Sequence, residues 1–357
     1  MDISINTESQ QSSVLKHKYN RWLFYWLMLG CFLIFLMVIV GGITRLTGSG
    51  LSITEWKPIM GAIPPLNEAE WNEAFDKYKQ IPQYNLINPY FTLNDFKFIF
   101  FWEWFHRLLG RVIGIAFIIP FGFFYIKKII PQWLLPRLLI IFGLGAFQGF
   151  LGWFMVKSGL SELTYVSHYR LAAHLLTAFI TVGYIFYTAL TIYESRNHFQ
   201  PTNETKTLKK QWLVLFIVLI LQIMYGAFVA GLHAGFEINT WPLMNGKWFF
   251  TDSFSEYPWI LNFLNNKAGV QIVHRYLAYL VLLFTLAWAF KIKKIKELSF
   301  ASKLLIGAVV LQFILGVITI LIINLQTYKV LIGVIHQCGA FVLFTTYIFV
   351  LHKINTV

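Results

Sequence analysis

Four histidines carry the chemistry open to this chain of 357 residues: His106, His174, His274 and His336, out of nine in all. A neutral imidazole is a strong ligand for haem iron, and two of them on facing helices can clamp a macrocycle inside a bundle. Two of the four begin the same dipeptide, His106-Arg107 and His274-Arg275. Arginine forks pair well with the propionates at a haem edge, and Arg45 and Arg170 lie at similar depth to these two. For Arg45 and Arg170, snorkelling to the membrane interface is an equal explanation.

Glu103 stands three residues before His106 on the same helical face, whereas Gln271 stands at the matching place before His274. A carboxyl beside the first imidazole pair can exchange protons or stabilise developing charge; a site with only a neutral amide suits electron transfer. The two cysteines, Cys31 and Cys338, both lie in apolar runs, which excludes a disulfide framework and an iron–sulfur site. Two histidines per bundle without clustered thiols or carboxylates are too few for zinc. His17, His198 and His352 fall on the opposite side of the membrane. His168 and His233 sit at the outer edge without a repeat partner, and His168 is the substitute ligand should His174 fail.

The segments that must position these groups are greasy. Hydrophobic residues make up 57% of the chain and charged residues only 13%, with a mean hydropathy of +0.61. A soluble domain carries about 25% charged residues, so this composition excludes a soluble enzyme and a disordered scaffold. The formal charge of +13 comes in blocks between apolar runs, with no basic domain for nucleic acid. Stretches 22–44, 138–156, 171–193, 211–236, 304–328 and 330–352 reach or approach the ~20 residues that a spanning helix needs. Two more, 112–126 and 276–290, become full spans only when extended back through 103–111 and 271–275, which places both His-Arg pairs at outer ends.

The sequence therefore predicts an all-α polytopic membrane protein of eight transmembrane helices. The excess of Lys and Arg near 16–21, 127–137, 196–210 and 291–303 puts both termini in the cytoplasm. The first 21 residues lack the apolar core of a signal peptide and the Arg-rich look of a presequence, so the first span is expected to remain as an anchor. Richness in Lys, Asn, Ile and Phe suits a bacterial inner membrane better than a mitochondrial one.

Spans one to four resemble an earlier copy of spans five to eight. Gly41, Gly50, Ile53, Trp56 and Gly61 match Gly226, Gly235, Ile238, Trp241 and Gly246 at one constant spacing. The His-Arg pairs match at a smaller spacing, then Gln148 and Gly152 match Gln312 and Gly316, and His174 and Phe179 match His336 and Phe341. The shrinking interval is what shorter loops in the second copy would produce. Two tandem pseudo-symmetric four-helix bundles follow. Their expected parts are a cytoplasmic tail 1–21, a first bundle 22–193 with a long outer loop 45–101, a cytoplasmic linker 194–210 and a second bundle 211–352. Within the first loop, Asn67 and Glu70 predict a capped helix through Tyr78, its Trp71, Phe75 and Tyr78 face lying along the membrane. The second outer loop, 237–269, carries an interfacial belt of aromatic residues.

These residues carry a resemblance that covers nearly the whole chain after about residue 20. GGITRLTGSGLSITEWKP at 41–58, EWFHRLLGR at 103–111, YRLAAH at 169–174, NTWPLMNG at 239–246, VHRYLAY at 273–279 and IHQ around His336 resemble the haem A synthase family. That family serves terminal oxidase assembly. The resemblance implies a haem b cofactor held by His274 and His336 in the second bundle. It implies haem O as substrate between His106 and His174, with Glu103 as the catalytic carboxylate. The implied reaction oxidises the C8 methyl of haem O to a formyl group through a hydroxymethyl intermediate. Haem b would relay the electrons to an acceptor that the sequence does not specify. A prenyl transferase would deliver haem O, membrane lipid would surround the chain, and association into a homo-oligomer is left open. The first outer loop lacks the Cys pair of some bacterial members, so the chain looks like the proteobacterial and mitochondrial branch. The rival reading is a bis-His dihaem b-type electron-transfer protein, with two permanent haems and no use for Glu103.

Overall fold

The computed structural model describes residues 3–56, 60–161, 164–194, 202–325 and 327–356, with side chains from Arg21 onward except those of Met60 and Ser161. Residues 57–58 of the first motif, and Arg196 and His198 of the expected linker, lie outside them. Among the described residues eight helices are long and apolar enough to cross a membrane. They are α1 (Ile3–Leu46), α4 (Leu93–Ile126), α5 (Leu135–Ser161), α6 (His168–Tyr193), α7 (Asn203–Gly231), α9 (Lys267–Ile292), α10 (Ser299–Ile322) and α11 (Lys329–Ile354). Three short helices belong to the loops: α2 (Glu68–Tyr78), α3 (Pro82–Ile87) and α8 (Asn262–Asn265). The described residues contain no strand, only an isolated bridge between Met244 and Lys247.

Local chemistry sets the ends of the helices. α4 starts well before its apolar run because Thr92 and Asp95 form a reciprocal cap: Asp95 N–H donates to Thr92 Oγ1 at 3.3 Å, and Thr92 N–H donates to the Asp95 carboxylate at 2.8 Å. α9 starts where the Asn266 side chain accepts from the Ala268 and Gly269 amides. Both helices therefore run through their His-Arg pairs. α7 stops at Gly231, short of the expected 236, because His233 takes a left-handed conformation (φ 55°) and a 3-10 turn follows over Ala234–Phe236. The first half reverses at the matching place through Gly48 (φ 69°), just past the end of α1. Glycine does there at no steric cost what His233 does under strain. α10 also ends early, at Ile322, in turns closed by Leu325 and Tyr328.

The loop helix α2 forms as its cap predicts, with Asn67 Oδ1 accepting from Glu70 N–H at 3.0 Å. Its aromatic face does not lie on lipid. Phe75 and Tyr78 are buried against Phe96, Ile99, Phe100 and Leu51, so the first outer loop forms a lid on the end of α4. Burying those rings against protein removes more apolar surface from water than a membrane-surface position would.

The spans group in a way compatible with tandem bundles. α1 packs on α4 and α6, and α5 on α6; α7 packs on α9, α9 on α10, and α10 on α11. The halves meet through α1, α6, α7 and α11. Gly183 lets the Phe344 ring approach α6, and Gln337 Nε2 donates to the Val38 carbonyl at 3.1 Å; within the second half, Trp212 Nε1 donates to the Tyr347 carbonyl at 2.9 Å. Small residues and interhelical hydrogen bonds take this role where lipid removes any hydrophobic drive between helices. The densest core, with Leu23, Trp26, Leu138, Phe344 and Tyr347, sits at the end bearing the termini.

Gly269 sets the approach of α9 to α8. A Cβ there would lie 2.1 Å from the Asn262 carbonyl oxygen, a backbone atom held by its own turn. Gly269→Ala is expected to destabilise the protein by about 1–3 kcal/mol or more, read as a lowered melting temperature in detergent. Gly307→Ala, where a Cβ meets nothing within 4 Å, is the control and should melt as the parent does.

Candidate functional site

Each of the four imidazoles faces a glycine on the neighbouring span. A Cβ on Gly41 would lie 3.4 Å from Nε2 of His106, and one on Gly152 would lie 3.4 Å from Cε1 of His174. In the second half, a Cβ on Gly226 would lie 3.1 Å from Cε1 of His274, and one on Gly316 would lie 3.2 Å from Cε1 of His336. All four rings thus point between helices, not into lipid. His106 lies near His174, and His274 near His336.

Glutamine amides border the rings. Gln148 Nε2 donates to the His174 carbonyl at 2.9 Å, the Gln312 amide lies 3.3 Å from His336 Nδ1, and the Gln222 amide lies 3.5 Å from His274 Nε2. Met37 stands in the first half where Gln222 stands in the second. Nδ1 of His174 and Nδ1 of His274 are buried without a partner, as are the amide oxygens of Gln148, Gln222 and Gln312. A buried polar atom without a partner is costly, and such atoms around a facing pair of imidazoles fit a site built for a further group. Neutral nitrogen donors in pairs, with glycines opposite, suit a planar macrocycle with a central iron.

Glu103 is 2% exposed and turned toward the first outer loop. One carboxylate oxygen accepts from Ser52 Oγ at 2.8 Å and from Ile53 N–H at 2.9 Å; the other accepts from Arg107 Nη2 at 2.6 Å. This is a buried ion pair rather than a solvated group at a helix mouth. Arg107 also donates to the Ile53 and Glu55 carbonyls at 3.0 Å and stacks over Trp56. The second half repeats the clasp in neutral form. Arg275 donates to the Ile238 carbonyl at 2.9 Å, to the Thr240 carbonyl at 2.7 Å and to Gln271 Oε1 at 3.1 Å. Gln271 Nε2 donates to the Ala234 carbonyl at 2.9 Å. Both arginines therefore hold loop backbone over the ends of their bundles.

Arg45 differs from these. Its Nε and Nη2 are buried without a partner. Its guanidinium lies near Tyr165 and His233, at the join of the two halves. The Tyr165 and His233 rings are 4.3 Å apart. Burial, then Arg45 and Lys267, push the His233 imidazole down to about 4, so it is neutral at physiological pH. Arg170 donates to the Phe154 carbonyl at 2.7 Å and sits over the Phe154 ring. His168 Nε2 lies 3.1 Å from the Leu264 carbonyl, which ties α6 to the second outer loop.

Sequence reasoning missed Ser52 and Gln222, neither of which has a counterpart of the same type in the other half. It used Gly41, Gly152, Gly226 and Gly316 only as markers of the repeat. The signal for their role was present: they are the repeat-matched glycines one span away from each histidine.

Eight apolar spans, with an imidazole pair enclosed in each half, define a multi-pass membrane protein whose halves share one design. Residues 24–348 match the COX15-CtaA family of cytochrome oxidase assembly proteins. The chain is 47% identical over 348 residues to haem A synthase of Flavobacterium psychrophilum, covering 95% of this chain and 99% of that protein. It is 44% identical over 346 residues to the protein of that name from Flavobacterium johnsoniae, with the same coverage. It is 42% identical over 360 residues to that from Nitrosomonas eutropha, covering 98% of this chain and 99% of that protein. The chain belongs to this family.

Removing one partner of a buried ion pair strands the other, at a cost of about 3–5 kcal/mol. Glu103→Ala is expected to lose stability on that scale and to expose the first outer loop to protease. Glu103→Gln keeps an acceptor for Ser52 and Arg107, as Gln271 does for Arg275, and should lose less. Thermal melts of the two variants side by side check the difference.

Proposed function

We propose that this protein is an oxidoreductase that converts haem O to haem A in a bacterial inner membrane, with both termini in the cytoplasm. The C8 methyl is oxidised to a formyl group through a hydroxymethyl intermediate. The observation that carries this reading is the break in symmetry at one place: Glu103 in the first half against Gln271 in the second, on otherwise matching clasps. Identity of more than 40% over nearly the full length to proteins named haem A synthase supports the same assignment.

In this reading His106 and His174 bind the iron of haem O, and His274 and His336 hold haem b. When bound, haem b supplies a one-electron relay toward the acceptor. The remaining work falls to the chain's own groups. The four facing glycines leave room for the ring planes. Arg45, with two unpartnered nitrogens in a dry setting, pairs with a propionate and orients the macrocycle; Arg170 serves at the outer edge. Arg107 and Arg275 act at the same edge through the loops they hold, and their remaining N–H groups would serve the propionates. Ser52 Oγ, Ile53 N–H and Arg107 fix the Glu103 carboxylate, so that it meets the substrate without first reorganising. Oxidising a methyl group releases protons. The Glu103 oxygen bonded only to Arg107 is the one with capacity to take them, and the lid over α4 keeps bulk water from competing. A prenyl transferase supplies haem O, and association between copies of the chain is compatible with this scheme.

Glu103→Gln is expected to retain haem b yet stop conversion of haem O, while His274→Ala loses haem b. Pigment extraction and mass analysis of membranes supplied with haem O, together with reduced-minus-oxidised spectra, read both outcomes. Unmodified haem O alone in membranes of the folded parent would instead identify a dihaem electron carrier.

A further inference from the structure

The two halves differ at a seam as well as at Glu103. In the second half α9 and α10 pack along each other, and Tyr279 of α9 meets Phe313 of α10 with ring centroids 5.4 Å apart. The matching helices of the first half, α4 and α5, scarcely touch. The repeat that aligns His106 with His274 places Arg111 where Tyr279 stands, and the repeat that aligns Gly152 with Gly316 places Gly149 where Phe313 stands. The aromatic pair that closes the second bundle is thus replaced by an arginine and a glycine. Gly145, one turn further along α5, matches the buried Val309. A Cβ on Gly145 or Gly149 would meet nothing within 4 Å, nor would one on Gly114 of α4.

The gap is bounded at both ends. Toward the termini, Phe117 of α4 stacks on Phe142 of α5 at 6.2 Å. At the outer end the first loop bridges the two helices, because Leu51 packs in one cluster with Ile99 and Phe100 of α4 and with Val156 and Leu160 of α5. What lies between is a window in the wall of the first bundle. At a rise of about 1.5 Å per residue, Gly149 is only about 4.5 Å along α5 from Gly152, the glycine facing His174.

We propose that this window between α4 and α5 is the seat of the substrate's isoprenoid tail, through which haem O enters and the product leaves sideways to lipid. The proposal rests on the assignment of haem O to the first bundle. A long hydrocarbon chain inside a close-packed bundle would need a cavity that is costly when empty; in the window it stays in hydrocarbon throughout. A substrate site has to exchange its occupant, so its wall is open. A cofactor site has to retain its occupant, and Tyr279 on Phe313 seals that wall. Haem b has no isoprenoid tail and needs no such opening.

The test uses the full-length protein with Gly149→Cys, alkylated by N-ethylmaleimide in detergent; the parent reports the background from Cys31 and Cys338. Haem O is expected to slow labelling at least tenfold, whereas haem b bound at the same site, confirmed by its spectrum, leaves the rate within about twofold. Equal protection by both would place the macrocycle, not the tail, at Gly149 and overturn the proposal, as would no protection by haem O that is spectroscopically bound. Failure of haem O to bind the parent at all would instead sink the functional assignment. As a second arm, Arg111→Tyr with Gly149→Phe installs the closure of the second bundle. It should lower haem O uptake at least tenfold while leaving the second bundle's haem b intact, and uptake at the parental level with that haem b retained would also refute the window.

Discussion

An imidazole inside a membrane bundle occupies space that the opposite helix has to yield, and the rest of this structure is arranged around that constraint. Gly41, Gly152, Gly226 and Gly316 each give up a side chain where a histidine ring arrives. A Cβ at Gly226 or Gly316 would crowd the ring, and one at Gly41 or Gly152 would already touch it. Because neither glycine nor buried histidine adds to packing, the outer half of each bundle is held by other means. The dense core lies at the other end, around Trp26, Phe344 and Tyr347. The outer ends are closed by loops that arginines clasp and that pack their own apolar side chains, Phe75 and Tyr78 in the first half and Ile238 and Met244 in the second, onto the helix ends.

The two clasps show how one design accommodates two different charges. Arg107 and Arg275 each donate to two loop carbonyls and to the side chain one turn earlier on their helix. Exchanging carboxylate for amide at that third position keeps the arginine's bonds in place, while the group's other partners change from Ser52 and Ile53 to the Ala234 carbonyl. A duplicated fold can thus carry a buried carboxylate in one copy and an amide in the other without rebuilding either. The same economy holds at the seam, where arginine and glycine replace two aromatic rings and one wall opens while its counterpart stays shut. At the clasp the halves differ in one side chain; at the seam the side-chain difference goes with a wider separation of α4 from α5 than of α9 from α10.

The join between the halves is where symmetry is least useful. The reversal after α1 passes through Gly48, and its counterpart passes through His233 in the same left-handed region. The strained histidine packs against Tyr165 with its ring tilted, near the buried Arg45, which has no counterpart in the second half, where Ala230 stands at the matching place. A guanidinium with two unpartnered buried nitrogens is tolerable only where an anion can join it. Among the described residues, Arg45 is the arginine that has buried side-chain nitrogens without a partner.

Much of this was legible in the residues. Eight spans follow from charge-free length, because a helix crossing hydrocarbon leaves an unbroken apolar record. The repeat follows from glycines and histidines whose intervals are set by helix geometry. The Asn67 cap is local, so its helix formed as expected. Other features depended on which surfaces meet. The face of α2 bearing Phe75 and Tyr78 is as apolar as a membrane-lying helix would require, and only the presence of Phe96 and Phe100 beside it decided that it covers α4. The end of α7 at Gly231 was hidden because the five residues that follow carry no charge to mark a boundary. Glu103 could be read as an acid next to a ligand, but its bonds to Ser52 and Ile53 come from a loop some fifty residues away in sequence. By itself the sequence determined how many times the chain crosses the membrane and which side chains could ligate, since both are written in local composition and period. Tertiary structure alone decided what each of those side chains touches and which wall stays open, because both depend on contacts between segments that no local pattern records.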